Sequence, residues 1–188
     1  MPVLKGSRIM LREYRSEDFS SIRAWVNDEA TTRWMSTRFW PPQTDVDTQE
    51  FLSRMLQSSH NAYNFVIADA QDESYIGQLD LFRVDWRLRQ GEIGMVIGKS
   101  ELRGQGYGQE ALELMKRFAF DNLGLERLEL EVHMDNQNAV RCYRKAGFTL
   151  EGVKRHAFWA NGCFGDVGIM SILRQEYVSS RTAPTENA

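Results

Sequence analysis

The stretch richest in potential chemistry runs Glu92-Ile93-Gly94-Met95-Val96-Ile97-Gly98-Lys99-Ser100-Glu101-Leu102-Arg103-Gly104-Gln105-Gly106-Tyr107-Gly108-Gln109. An apolar run ends in a glycine-dense turn, and an amphipathic run follows at once. Glycines lack Cβ, so successive backbone N–H groups can close on an anion. A helix starting there adds its own unpaired donors and the positive end of its dipole. The composition suits the holding of phosphate. Two widespread phosphate motifs nearly fit and fail. The dinucleotide fingerprint needs a glycine where Gln109 stands, and the Walker pattern needs one where Ile93 stands. What remains is Arg103-x-x-Gly106-x-Gly108. A second segment, Asn136-Gln137-Asn138-Ala139-Val140-Arg141-Cys142-Tyr143-Arg144-Lys145-Ala146-Gly147-Phe148, carries a phenol that can give up a proton. On spacing alone Tyr143 also reads as a core aromatic on the Ala139–Val140–Tyr143 face. Two candidate bases stand nearby in the chain: Glu92, entering the glycine turn, and His133, on a strand with one polar face. For each, a plain solvated surface role is the competing reading.

These segments need elements to position them. Arg8 to Arg12 reads as a first strand, after which Ser16 caps a helix with Glu17 and Asp18 in its first turn. Phe19, Ile22, Trp25 and Val26 recur at helical spacing. Arg33 to Gln43 is an aromatic, then proline-rich loop. Asp47 or Thr48 caps a second helix bearing Phe51, Leu52, Met55 and Leu56. Asn64 to Ala68 and Ser74 to Phe82 form a hairpin, and Glu92 to Ile97 a third strand. The period then changes: Ala111, Leu112, Met115, Phe118 and Ala119 line a helix that Gly124 ends. Leu128, Leu130 and Val132 alternate with Glu129, Glu131 and His133 as a strand. Asn136 to Lys145 is a short helix, Phe148 opens a strand, and Phe164 to Leu173 is the last. This order predicts an α+β fold with at least one parallel crossover through the helix over residues 109–122.

The chain has 188 residues, 42% hydrophobic and 26% charged, which suits one domain with its own core. The expected domain covers residues 1–178, with a small, polar tail over 179–188. A net charge of −3 argues against a general nucleic-acid binder. Cys142 and Cys163 have no metal-ligand spacing and read as reduced thiols. No apolar run is long enough for a signal core or a membrane span, so a cytoplasmic protein without membrane partners is expected.

Arg103-x-x-Gly106-x-Gly108 resembles the acetyl-CoA pyrophosphate loop of the Gcn5-related N-acetyltransferases (GNAT), written R/Q-x-x-G-x-G/A. The segment from Asn136 to Phe148 is similar to that family's N-x-x-A-x-x-x-Y-x-x-x-G-F, with every defining position filled. One helix and one strand separate the two, as in the family. The resemblance spans Arg8 to about Tyr177. Its opening, with Ser16-Glu17-Asp18, and its close, Asn161-Gly162 … Asp166 … Met170 … Leu173 … Glu176-Tyr177, resemble a branch that includes the ribosomal-protein N-terminal acetyltransferases and the spermidine/spermine N-acetyltransferases.

The resemblance implies a mixed, mostly antiparallel sheet flanked by helices, with a splayed parallel pair of strands. Acetyl-CoA would lie between one strand ending near Ile97 and another near Val132. Met95, Val96 and Ile97 would lend backbone groups to its arm. Amides of Arg103, Gly104, Gln105, Gly106, Tyr107 and Gly108 would hold its pyrophosphate, Asn136 would reach the arm, and Tyr143 the sulfur. Tyr143 would act as general acid, since a phenol can protonate a departing thiolate. Glu92 would act through water as the base that frees the amine, with His133 its rival. A backbone N–H near Val96 or Ile97 would face the developing oxyanion. The acceptor would be a protein N-terminal amine or, alternatively, a polyamine. Trp34, Phe39, Trp40, Phe158 and Trp159 are candidates for its groove, and Glu29, Asp80, Asp85 and Glu151 for attracting it. A homodimer would suit the branch. A sensor that holds CoA without catalysis is the reading from another class.

Overall fold

The computed structural model describes residues 3–57, 61–160 and 162–182. One eight-stranded sheet carries the fold. In chain order the strands are β1 (Leu4–Lys5), β2 (Ile9–Arg12), β3 (Tyr63–Asp69), β4 (Tyr75–Asp85), β5 (Gln90–Ile97), β6 (Arg127–His133), β7 (Thr149–Ala160) and β8 (Cys163–Leu173). Their order across the sheet is β1-β2-β3-β4-β5-β6-β8-β7. Every neighbouring pair is antiparallel except β5 with β6. The helices are α1 (Phe19–Val26), α2 (Glu29–Thr32), α3 (Asp45–Met55), α4 (Tyr107–Arg117), α5 (Gln137–Lys145) and α6 (Arg174–Thr182).

Side-chain alternation along the strands divides the core into two layers. On one face Phe65, Ile67, Leu79, Leu81, Leu128 and Leu130 pack against Leu112, Met115 and Phe118 of the α4 region and Val140 and Tyr143 of α5. On the other, Val66, Ala68 and Tyr75 pack against Ile22, Trp25 and Val26 of α1 and Leu52 of α3. The stripes read from the sequence for α1 and α4 are these buried faces.

The feature that makes a site is where β5 and β6 stop pairing. Only Gln90↔Arg127, Gly91↔Leu128 and Glu92↔Glu129 join them. Beyond that, β5 stays with β4 as far as Gly77↔Ile97, and β6 stays with β8 as far as His133↔Val167. The two parallel strands therefore part into a V. Gly77 lets β5 sit close to β4 at the wide end, since a Cβ there would lie 2.2 Å from the Val96 carbonyl oxygen. No rotamer change relieves a clash with backbone. Gly77→Ala is expected to cost about 2–3 kcal/mol in a urea titration and to loosen the slot; a cost below about 0.5 kcal/mol would show that β5 can yield there.

Several elements differ from the sequence reading. β1, α2 and α6 were not anticipated, because two to four residues carry no period and α6 is polar on most sides. Ser16 caps nothing: residues 16–18 form a 3₁₀ turn, and the Asp18 carboxylate accepts from the Arg15 N–H at 2.8 Å. The cap of α3 is Thr44, reciprocally bonded with Asp47, rather than Asp47 or Thr48. α6 continues through Ser179 to Thr182, where the tail was expected to begin. Residues 183–188 and Asn161 lie outside the described residues.

Candidate active site

The glycine turn stands at the open end of the V, between β5 and α4. Gly104 and Gly106 have φ of +75° and +88°, a region costly for residues with a Cβ. This left-handed path turns the chain into α4 without closing its amides on one another. The N–H groups of Gly104, Gln105 and Gly106 donate to no acceptor among the described residues. Those of Tyr107, Gly108 and Gln109 open the helix and have no intrahelical partner. Gly108 allows the helix start to press on β5: a Cβ there would meet Met95 Cε at 3.1 Å and Cys142 Sγ at 3.6 Å. The result is a cluster of outward amides over the V, a cradle shaped for phosphate.

Arg103 corrects the expectation that its amide joins this cluster. That N–H donates to the Ser100 carbonyl at 3.2 Å. Its guanidinium turns inward, donating to the Ile97 carbonyl at 3.0 Å and to the Thr31 hydroxyl. Arg103 braces the turn against β5 and α2.

A second correction concerns the wall of the V. Gly98 N–H donates to the Ile76 carbonyl at 3.0 Å. In an antiparallel ladder this sets the alternation: backbone groups of Gly94 and Val96 face β4, and those of Ile93, Met95 and Ile97 face β6. Past Ile93 the ladder to β6 does not continue among the described residues. The backbone groups of Met95 and the Ile97 N–H therefore point toward β6, while the Ile97 carbonyl accepts from Arg103 Nε and Val96 spends its groups in the sheet.

On the opposite wall, α5 begins at the tip of β6. The Asn136 side-chain oxygen accepts from Ala139 N–H at 3.2 Å, so the carbonyl caps the helix and the amide NH2 remains available. Tyr143 lies on the buried face of α5, 6% exposed, with Phe148 edge-on at 6.0 Å. The ring of Tyr143 thus belongs to the core. Its hydroxyl makes no hydrogen bond among the described residues. Within them the one fully enclosed side-chain polar atom without a partner is His133 Nδ1, so the phenol oxygen is not fully enclosed. Burial, with Cys142 beside it, pushes the phenol well above its ordinary pKa. Cys142 and Cys163 are free thiols.

Glu92 sits where the V closes. Its carboxylate is 16% exposed and accepts from Arg83 Nη1 at 2.6 Å, while Arg83 itself is largely in solvent. His133 ends β6 on the same sheet face, between Phe158 at 4.0 Å and Trp34 at 6.2 Å. Burial lowers its pKa, so it is neutral at pH 7. Of the five candidate groove aromatics, Trp34 and Phe158 flank this point. Phe39 covers Trp25 at 5.8 Å, and Trp40 and Trp159 are exposed. Of the four candidate acids, Asp85 accepts from Arg87 and Leu88 amides in the β4–β5 turn. Glu151 is held by Arg127 and Ser171. Asp80 accepts from Tyr14 and Phe65 under the second core layer, and burial lifts its carboxyl to about 7. Glu29 alone is an open surface carboxylate.

A parallel pair that splays, a glycine turn over its mouth and a tyrosine in its wall define a class. The acetyltransferase (GNAT) domain family matches residues 8–149, and the chain belongs to it. It is an N-acetyltransferase whose acetyl donor is acetyl-CoA. The chain is 30% identical over 174 residues to a spermidine N(1)-acetyltransferase of Vibrio cholerae, covering 93% of this chain and 98% of that one. It is 27% identical over 180 residues to the uncharacterized N-acetyltransferase p20 of Bacillus licheniformis, covering 94% and 99%. The crystal structure of the Vibrio cholerae spermidine N-acetyltransferase in complex with CoA and spermine superposes with a TM-score of 0.80 at 26% identity, covering 92% and 99%. The expected mostly antiparallel sheet with one splayed parallel pair is the observed fold. No helix of the described residues is long and apolar enough to cross a membrane.

Proposed function

We propose that the chain acetylates a polyamine of the spermidine class. The observation that carries this is the similarity to a spermidine N(1)-acetyltransferase over nearly the whole length of both chains. It favours the polyamine over the protein N-terminal amine that the sequence placed first. The acceptor face of the V supports the same choice. Glu92 and Glu131 are held by Arg83 and Lys154, long side chains with solvent-exposed ends. Substrate ammonium groups can take over such partners at little net cost, because exposed ion pairs are weak.

Acetyl-CoA brings the acetyl group as a thioester. The amides of residues 104–108 bind its diphosphate, and the backbone groups of Met95 align its arm, with the Asn136 amide opposite. The Ile97 N–H, rather than that of Val96, is the donor to charge developing on the acyl oxygen. Tyr143 holds a proton on its phenol oxygen for the leaving sulfur. Glu92 accepts the amine proton through water. Glu92→Gln is expected to lower kcat/KM about 10- to 100-fold. A kcat/KM equal to wild type excludes Glu92.

The deciding experiment is thiol release from acetyl-CoA over spermidine, spermine, N-terminal Ala and Ser peptides, free amino acids and an aminoglycoside. Turnover on spermidine and spermine is expected to exceed that on the peptides. Peptide turnover alone would reverse the choice. Tight CoA binding with no acceptor used would favour a sensor.

A further inference from the structure

The N-terminal segment reaches the phosphate turn. The Glu110 carboxylate, in the first turn of α4, accepts from Ser7 N–H at 2.7 Å, Ser7 Oγ at 3.0 Å, Arg8 N–H at 2.8 Å and Arg8 Nε at 3.1 Å. A carboxylate at this position ordinarily serves the amides of its own helix start. Here it faces the other way and ties down the turn between β1 and β2, so the amides of α4 stay unclaimed. Arg8 completes the arrangement. Its Nη1 donates to the Gln105 carbonyl at 3.0 Å, and its guanidinium lies over the Tyr107 ring at 4.7 Å. Its Nη2 stands 3.2 Å from where a Cβ on Gly106 would be and donates to nothing among the described residues. The side chain is 49% exposed. A guanidinium has five donors, and only two are used among the described residues. The cation is thus fixed beside the turn with one edge open, while its own carboxylate partner is surrounded by donors.

We propose that Arg8 is a phosphate-binding residue of the acetyl-CoA site, its open guanidinium edge pairing with the cofactor's phosphates beside the amides of residues 104–108. The proposal rests on the CoA reading of that turn. CoA carries phosphate at the diphosphate and at the ribose 3′ position, and the chemistry recognised is the same: a planar fork of donors to two oxygens, stronger than a neutral contact.

The test is calorimetric binding of CoA and of 3′-dephospho-CoA to wild type, Arg8→Gln and Arg8→Lys at several salt concentrations. Melting of each unliganded protein is followed alongside. Arg8→Gln is expected to weaken CoA about 5- to 20-fold and to flatten the salt dependence, with Arg8→Lys in between. The same ratio with dephospho-CoA assigns the diphosphate, and its disappearance assigns the 3′-phosphate. Unchanged affinity in Arg8→Gln overturns the proposal. So does a weakening with unaltered salt dependence, which would report a distorted turn. If wild type itself binds no CoA, the reading of the turn fails instead.

Discussion

Tyr143→Phe is expected to lower kcat about 10²- to 10⁴-fold while leaving CoA affinity within about twofold. The substitution removes one oxygen and leaves the ring. The Phe148 contact and the α5 packing survive, and no buried partner is orphaned, since the hydroxyl bonds to nothing among the described residues. Stability is therefore expected to change by less than about 1 kcal/mol. Activity and folding separate cleanly at this position. Burial raises the phenol pKa, so the neutral, proton-bearing form persists above the pH at which an ordinary tyrosine ionises. Any fall in wild-type activity below about pH 10 must then come from another group. Single-turnover thiol release, with CoA binding measured separately, checks both halves. Full kcat in Tyr143→Phe would remove the general-acid assignment.

The largest effect on stability is expected at a pair far from the V. Arg12 and Asp18 are each 4% exposed and meet through two bonds, 2.9 Å from Nη1 to Oδ2 and 2.8 Å from Nη2 to Oδ1. The guanidinium also donates to the Glu13 and Glu73 carbonyls, and the carboxylate accepts from Arg15 N–H. Together they fasten β2, the 3₁₀ turn before α1 and the β3–β4 turn. Asp18→Ala leaves a buried cation that cannot neutralise itself, because guanidinium does not deprotonate in proteins. The expected loss is about 3–5 kcal/mol, a large share of a typical domain's total. Asp18→Asn keeps an acceptor and is expected to lose less. Arg12→Met with Asp18→Leu removes both charges and should recover most of the loss. Urea titration of the set reads this out. A cost below about 1 kcal/mol for Asp18→Ala would mean that water reaches the pair.

Much of the site was legible as local pattern. The glycine spacing after β5 permits left-handed backbone whatever surrounds it, and Gly104 and Gly106 adopt that backbone. Tyr143 was found through its segment, and the helix that carries it through a 3.6-residue period. The same segment allows two readings of Tyr143: its ring lies in the core, and its role as general acid is the proposal that Tyr143→Phe tests. Other assignments failed at local choices. Ser16 lost to Asp18 because the carboxylate serves Arg12 and the turn at once, a gain invisible in a capping rule. Arg103 fits its motif by type, yet its amide and guanidinium are both committed inward.

What the chain alone determined, then, is the set of periods and turns: which residues form helix or strand, where backbone amides can lie open, and which phenol sits beside them. Those properties follow from nearest neighbours, since dihedral preference and side-chain period act over a few residues. The tertiary structure decided the rest. Gly77 of β4 lies against the Val96 carbonyl of β5, a close approach that only the paired sheet creates. Which amides of β5 face the slot follows from the β4 register, and one residue of slip would exchange Val96 with Ile97. Arg8 meets the turn only because Glu110, 102 residues away, holds its segment there. Contacts of that length leave no local period in the sequence, because their energy is realised only after the sheet has brought both partners together.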